Sequence, residues 1–418
     1  MATILNQKEL LGWIDIDDET GTRVGSGPIT NILSFKATKS MDRAGTFEAL
    51  IPMSDPQATL LATDYTITCY ALVNGEVTEI GGGRITEMEY TPTRQGTALR
   101  ITGFDLLEEL SQRTVQFLSL GTSGTVDHET AIDAIAAYAP AGWTINEDPS
   151  PPFDDIIYRF SGESVLQALI LMNEYFRTHF KLSSNRTINI TNTFTDSGMI
   201  AIDAPVIGYA PDPAVCYISK FKFTKEINEI FSRIYPYGGW YNGVFYDWFI
   251  TLDDSTVGPY TGYTHSRSNN WIQKTDVHTT YGQIDRQVQY PQIKVTFFTG
   301  GYSAAIWEDL CNLVYNRAVA DLELYGIQGQ FYTLELANCN AILEPLESIR
   351  VIINRTEGGN QVFDVDATFF ILESTIELSE GGIRTTKLEI ADIDRYLRTD
   401  PFAIAGPSYK NRFFNDQY

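Results

Sequence analysis

The sequence predicts a mostly β, multi-domain α+β protein, and three observations lead there. Short runs of alternating apolar and polar residues dominate the chain. Gly, Pro, Asn and Asp punctuate them at short intervals, and only three stretches carry convincing helical periodicity. The 418 residues, at roughly 150 per domain, correspond to two to four domains. With 43% hydrophobic and 20% charged residues, each domain has material for an ordinary core.

The first strands are Ile32–Lys36 and Thr46–Ile51, the second ended by Pro52 and Asp55-Pro56. Tyr65–Val73 and Glu76–Ile80 flank Asn74-Gly75, a hairpin turn whose two residues need positive φ. Gly81-Gly82-Gly83 then permits a bulge or tight corner before Arg84–Tyr90, and a polar turn leads to Ala98–Thr102. Gly103–Leu110 reads as a short helical turn. The first helix begins at Asp127, a capping residue, and stops by Pro140-Ala141-Gly142. A second helix, from about Gly162 with Ser161 as cap, sets Val165, Leu166, Leu169, Met172 and Phe176 on one stripe. The hairpin Phe180–Leu182 and Thr187–Thr191 follows it. Between Tyr235 and Trp271 aromatic rings alternate with Gly, Asn, Asp and Ser, which reads as an irregular excursion. A third helix spans about Ser303–Leu324, with Ile306, Leu310, Leu313, Val314 and Arg317 along one side. Strands at Ser348–Ile353, Val362–Asp366, Phe369–Glu377 and Thr385–Ile390 then repeat the N-terminal order. In that repeat Ile85–Tyr90 parallels Leu372–Glu377, and Leu99-Arg100-Ile101 parallels Leu388-Glu389-Ile390.

Chemistry-bearing residues are sparse. The four histidines, His128, His179, His265 and His278, lack HExxH, HxH or Cys/His context, and no P-loop, GxGxxG or Gly-x-Ser-x-Gly elbow occurs. Cys69, Cys216, Cys311 and Cys339 are scattered and read as buried thiols. We therefore expect no catalytic residue, no metal, no cofactor and no enzymatic activity. No run approaches the roughly 18 apolar residues of a membrane helix, and the N-terminus lacks a signal-peptide pattern, so membrane insertion is not expected. With 53 acidic and 30 basic residues the net charge is −23, the wrong sign for gripping phosphate. Solubility explains that charge, and so does an acidic wall past which DNA slides.

Two aromatic groups are candidate surfaces. Trp240, Tyr241, Tyr246, Trp248 and Trp271 suit a protein interface or a sugar-stacking face. Phe402, Tyr409, Phe413, Phe414 and Tyr418 form an extended tail suited to docking on a neighbouring subunit.

The run Phe35–Arg113 resembles the opening domain of the central hub proteins of contractile-phage baseplates and of related siphophage tail-tip proteins. The likeness lies in Leu50-Ile51-Pro52, Ser54-Asp55-Pro56, Leu60-Leu61, Tyr65–Tyr70, Gly83-Arg84-Ile85 and Thr102–Leu110. It continues in the helix Val165–Phe176, Asn228-Glu229-Ile230, Tyr235-Pro236-Tyr237-Gly238, Tyr281–Asp285, Glu344–Ile349 and Ile371–Ile390. Two turns depart from it. Ala62-Thr63-Asp64 stands where the family often has Gly, and Pro345-Leu346-Glu347 where it often has Pro-Gly-Asp.

The resemblance implies two tube-type β-barrels per chain. The first covers 1–118, completed by about 206–236; an α/β domain is inserted at 119–205; 237–282 is the aromatic-rich loop region. The second barrel with its helix covers 283–398, and 399–418 is the extended tail. It further implies a homotrimeric, pseudo-six-fold tail hub in the virion, made in the host cytoplasm. Tail-tube and distal tail proteins lie above it, a spike, fibre or receptor-binding assembly below, and DNA passes through its lumen during ejection. Relatives sometimes carry a C-terminal peptidase or lysozyme-like domain, and none is expected here after the second barrel. The competing readings are a host-surface glycan binder and a tail-associated cell-wall hydrolase.

Overall fold

The structure is a computed structural model. It describes residues 12–392 apart from 74, 94–95, 122–124, 152–155, 185, 204–213, 227–229, 243–246, 291–292, 294–303, 327–328, 338, 340 and 380–381. The α+β, mostly β character expected from the sequence holds: of the described residues, strands take 51% and helices 17%. Two compact units share the chain by turns. Unit 1 takes 1–109, 193–224 and 331–393, and unit 2 takes 110–192, 225–330 and 394–418.

In chain order, β1 is Gly12–Asp17, β2 Ser34–Ser40, β3 Thr46–Pro52, β4 Thr66–Val73, β5 Glu76–Thr93 and β6 Gly96–Phe104, followed by the short helix α1 at Glu108–Ser111. Then come β7 Ser119–Leu120, α2 His128–Ala136, β8 Thr144–Asn146, β9 Tyr158–Arg159, α3 Val165–Phe176, β10 His179–Ser184 and β11 Thr187–Thr191. Strands β12 Thr195–Asp203 and β13 Val215–Glu226 precede β14 Arg233–Gly238, β15 Trp240–Asn242, β16 Asp247–Phe249, β17 Tyr263–Ser266 and β18 Trp271–Lys274. Helix α4 Thr275–Tyr281, β19 Asp285–Tyr290 and α5 Ala304–Tyr325 lead to β20 Gly329–Ala337, β21 Glu347–Glu357, β22 Asn360–Ser379 and β23 Gly382–Ala391.

Unit 1 is one twelve-stranded sheet, β1-β4-β5-β6-β3-β2-β22-β21-β12-β13-β20-β23, with β23 also paired to β22. The strands β12, β13, β20, β21, β22 and β23 therefore close a hydrogen-bonded circuit. Alternation along the strands builds two separate cores. Phe35, Phe47, Ile51, Ile67, Ile85 and Ile101 fill the first, and Tyr332, Leu334, Ile349, Val351, Ile371 and Leu388 the second.

The duplication expected from element order is present in the connectivity. Strands β2, β3, β4, β5 and β6 follow one another in sequence and pair as β4-β5-β6-β3-β2. Strands β13, β20, β21, β22 and β23 do the same as β21-β22-β23-β20-β13. The registers superimpose. Thr46 faces Phe104 as Phe331 faces Ala391, and Thr66 faces Arg84 as Ser348 faces Phe370. Each copy has a bulge at the same place, where Thr86 is left between Ile85 and Glu87, and Leu372 between Ile371 and Glu373. That anchor corrects the sequence alignment. Ile85 is equivalent to Ile371 rather than Leu372, and Ile101 to Leu388 rather than Ile390. The two turns that depart from the resembled family are equivalent as well. Asp64 and Leu346 adopt φ +74° and +66°, and their N–H groups donate to the carbonyls of Ile85 and Ile371.

Strand β22 joins the copies. Its upper half pairs with β21 and its lower half with β2, Ser34 facing Ser379 and Ser40 facing Glu373. Phe369 and Ile371 point into the second core, whereas Ile376 and Leu378 point into the first. The bulge at Leu372 makes that possible, because one extra residue reverses which parity faces inward.

Several sequence-based boundaries move. Strand β13, expected within 206–236 to complete the first barrel, pairs with β12 and β20 on the second core, while β14 lies in unit 2. Strand β12, expected in the inserted 119–205 domain, belongs to the unit 1 sheet through β21. Strand β19 and α5, expected with the second barrel at 283–398, lie in unit 2. The second helix starts at Val165, its cap being Ser164, whose Oγ accepts from the Gln167 N–H, rather than Ser161. The segment Tyr235–Trp271, read as an irregular excursion, is irregular only in part, since 250–262 carry neither helix nor strand. Much of the rest is ordered: β17 and β18 join β14 and β19 in a four-stranded sheet, and β15 pairs with β16. In β14, Ile234, Pro236 and Gly238 alternate inward, a period hidden in the sequence by tyrosines at the half-buried positions between them.

Unit 2 has two parts. In one, α2 and α3 pack together and α3 against β10, beside the sheet β10-β11-β8. In the other, α5 lies on β14 and β18. Asp127 caps α2 as expected, its carboxylate accepting from the Thr130 N–H at 2.8 Å, and His128 stands edge-on to Phe176.

Candidate functional site

The first copy presents one polar face on the side of the sheet away from its core. Phe35 and Ala37 of β2, Phe47 and Ala49 of β3, and Leu99 and Ile101 of β6 point inward, so their neighbours Lys36, Thr38, Thr46, Glu48, Arg100 and Thr102 point outward. The bulge exposes both Thr86 and Glu87 on β5, with Glu89 beyond them. Strand β22 extends the face across the junction. Lys36 is opposite Glu377 and Thr38 opposite Thr375, their hydroxyls 2.9 Å apart. Between Lys36 and Phe104 the surface forms a shallow concavity of about 370 Å³.

Lys36 and Arg100 face four carboxylates, Glu48, Glu87, Glu89 and Glu377, so the face is acidic by two charges. Arg100 donates to Glu48 at 2.8 Å and to Glu89 at 3.4 Å, and those contacts, Glu48 first, hold its guanidinium above its ordinary pKa. The rest is mainly threonine, with Phe104 at one end, and offers hydroxyls but no further cation to phosphate. Such a surface offers phosphate no net attraction.

Arg84 and Asp64 pair at 3.1 Å at the rim, and the face ends at Asp105, whose carboxylate accepts from the N–H groups of Gly45 at 2.7 Å and Leu107 at 2.9 Å. Burial pushes the Asp105 carboxyl up to about 6, the two backbone donors opposing the shift.

The aromatic candidates are distributed otherwise. Cross-strand pairing sets Trp240 opposite Phe249 and Tyr241 opposite Trp248. Tyr246 lies outside the described residues, as do Phe402, Tyr409, Phe413, Phe414 and Tyr418. Trp271 sits on β18, half-buried, with the Arg233 guanidinium 4.4 Å from its ring centroid. One of its faces is thereby occupied by a cation, which leaves less room for a sugar. Other rings of this segment are tied to α5: Tyr260 Oη donates to Asn316 at 2.7 Å, Tyr263 Oη bonds Glu323, and Tyr315 Oη lies 2.8 Å from His265 Nδ1.

Sequence reading missed a buried ionic cluster in unit 2. Arg317, placed by periodicity on the apolar side of the third helix, is 7% exposed. It donates to the Glu174 carbonyl at 2.6 Å and carboxylate at 2.8 Å, while Asp321 accepts from Arg177 at 3.0 Å and from Tyr290 Oη at 2.7 Å. Each charge has an opposite partner, an arrangement that fixes geometry rather than activating a nucleophile. The only signal was an Arg and an Asp four apart within an apolar stripe. Among the described residues no group of three or more His, Cys, Asp or Glu is placed to hold a metal ion.

No family model matches the chain. No curated protein matches it in sequence. Solved structures do match the fold. A tail protein from Neisseria meningitidis is 14% identical with TM-score 0.56, covering 93% of this chain and 98% of its own. Prophage tail protein gp18 from Listeria monocytogenes is 11% identical with TM-score 0.56, over 95% and 98%. The 43 kDa tail protein of prophage MuSo2 from Shewanella oneidensis is 10% identical with TM-score 0.55, over 91% and 98%. At such identities the shared property is the fold, and it extends over nearly the whole of each chain.

Proposed function

We propose that this protein is a structural subunit of a phage tail, a hub that assembles as a homotrimer joining the tail tube to the distal spike or fibre apparatus. The observation that carries the reading is the duplicated strand set within one sheet. The second copy closes into a hydrogen-bonded circuit through the β12–β13 and β22–β23 pairings, β2 and β22 stitch the copies edge to edge, and we take each copy as one small barrel of the assembly. Three chains then offer six near-equivalent barrels, which reconciles a six-fold tube with a three-fold spike. The tail-protein fold of the solved neighbours supports a tail role, since their names describe components of tails.

Within this reading the outward face of β5, β6, β3, β2 and β22 lines the channel. Its surplus of carboxylates and its threonines let DNA pass without specific binding. The proposed partners are tube and distal tail proteins above and a receptor-binding assembly below. Neither catalysis nor a cofactor is part of the proposal. The covered face of Trp271 counts against glycan binding at that ring, so the glycan reading is not carried further.

Light scattering on the purified chain tests the hub directly. The expected particle has three times the 46.9 kDa chain mass. A strict monomer at every concentration, or particles whose tail ends lack the chain, rules the hub out.

A further inference from the structure

Cys216 and Cys339 are 123 positions apart in sequence, yet their Sγ atoms lie 2.7 Å from each other. Cys216 is on β13, and Cys339 follows β20, the strand that β13 pairs with. Both are buried in the second core, among Ile218, Leu336 and Leu343. Non-bonded heavy atoms settle at roughly 3.5–4.0 Å, and bonded sulfurs at about 2.05 Å. Two thiols at the observed separation are inside ordinary contact and close to bonding, in a core that leaves them little space to part.

We propose that Cys216 and Cys339 form a disulfide when the folded protein meets a thiol-oxidising environment, with a low-molecular-weight disulfide as the oxidant. The bond would tie the start of β13 to the segment just past the end of β20, at the end of that strand pair away from where the chain leaves for Lys225–Gln330 and returns. It thus encloses β13, that excursion and β20 in one covalent loop, whatever the protein's role in the particle. The chain folds with both thiols reduced and is locked afterwards.

The exchange is balanced. Cys339, 6% exposed against 0% for Cys216, attacks first: its thiolate displaces one sulfur of the small disulfide, forming a mixed disulfide and releasing one thiolate. Cys216 then gives up its proton and attacks Cys339 Sγ, forming the protein S–S bond and releasing the second thiolate. The released thiolates take up the two protons, so one small disulfide is reduced to two thiols as two protein thiols are oxidised. The other cysteines lack this arrangement. Burial pushes Cys69 far up and Cys311 up to about 12, whereas the hydrogen bond from Cys216 holds Cys339 below the ordinary thiol value.

The test uses the full chain, purified with reductant and then equilibrated with oxidised glutathione. After denaturation and alkylation without reduction, two alkyl groups fewer and a peptide joining Cys216 to Cys339 are expected. Closing a loop of this length should also raise Tm by about 10 °C, reversibly with reductant, and Cys339→Ser should abolish that rise. Alkylation of all four cysteines after equilibration overturns the proposal, as does a linked peptide through Cys69 or Cys311. The mass measurement on the unmodified chain stands even if the variant folds poorly. A linked peptide with no change in Tm overturns the locking role of the bond.

Discussion

Individual residues show where composition and conformation conflict. Leu346 holds φ +66°, a region that costs a bulky side chain about 1 kcal/mol or more, and it does so because its side chain is buried and its N–H is bonded to Ile371. The equivalent Asp64 bears the same turn more cheaply, since Asp tolerates this region. Asp105 gives a pH-dependent signature. Its folded pKa is raised to about 6 from 3.8, so folding takes up a proton in that window. By linkage its contribution to stability therefore grows as pH falls from about 6 toward 4 and is lost as pH rises through 6. Asp105→Asn should flatten that part of the Tm-against-pH curve, and an NMR titration placing Asp105 near 4 would refute the assignment. In unit 2, Asp321→Ala strips a partner from Arg177 and Arg317, both almost fully buried. Denaturant unfolding should report a loss of about 3–5 kcal/mol, far beyond that of a surface pair. A loss under 1 kcal/mol would mean the cluster is solvated.

Among elements, β22 carries the most consequence. It serves two cores because Leu372 adds one residue to the ladder at the junction. Deleting Leu372 should turn Ser374, Ile376 and Leu378 to the outer face and expose apolar side chains of the first core, leaving insoluble or molten protein by circular dichroism and dye binding. A deletion that folds normally would show that the parity switch is made elsewhere. The glycine corner of β5 was legible for the same kind of reason. Gly83, at φ +150°, approaches the Phe104 carbonyl so closely that no Cβ fits, and a glycine triplet is the sequence's way of writing that. Helix α3 was legible too, apart from its cap. Ser161 and Ser164 both suit an N-cap, and only the backbone turn at Ser164 decides between them.

At the scale of the whole molecule, the duplicated sheet and its acidic face are the features on which function turns. If that face lines a channel, Glu87→Lys with Glu377→Lys should convert a wall that ignores duplex DNA into one that binds it. The binding should fall steeply with salt, and particles carrying the variant should eject DNA more slowly. Unchanged binding and unchanged ejection would place the face outside the channel.

The sequence by itself determined the β-rich class, most strand positions, the hairpin and glycine corner, the cap of α2 and the repetition of element order. Each of these depends on near neighbours: alternation, turn chemistry and capping act over a few residues. Only the tertiary structure decided which copy β12 and β13 join, the register of the repeat, the strands hidden in the aromatic segment, the Arg317–Asp321 cluster and the meeting of Cys216 with Cys339. These are pairings between segments tens to hundreds of residues apart, and local pattern carries no record of which distant edge satisfies a strand's free N–H and C=O groups.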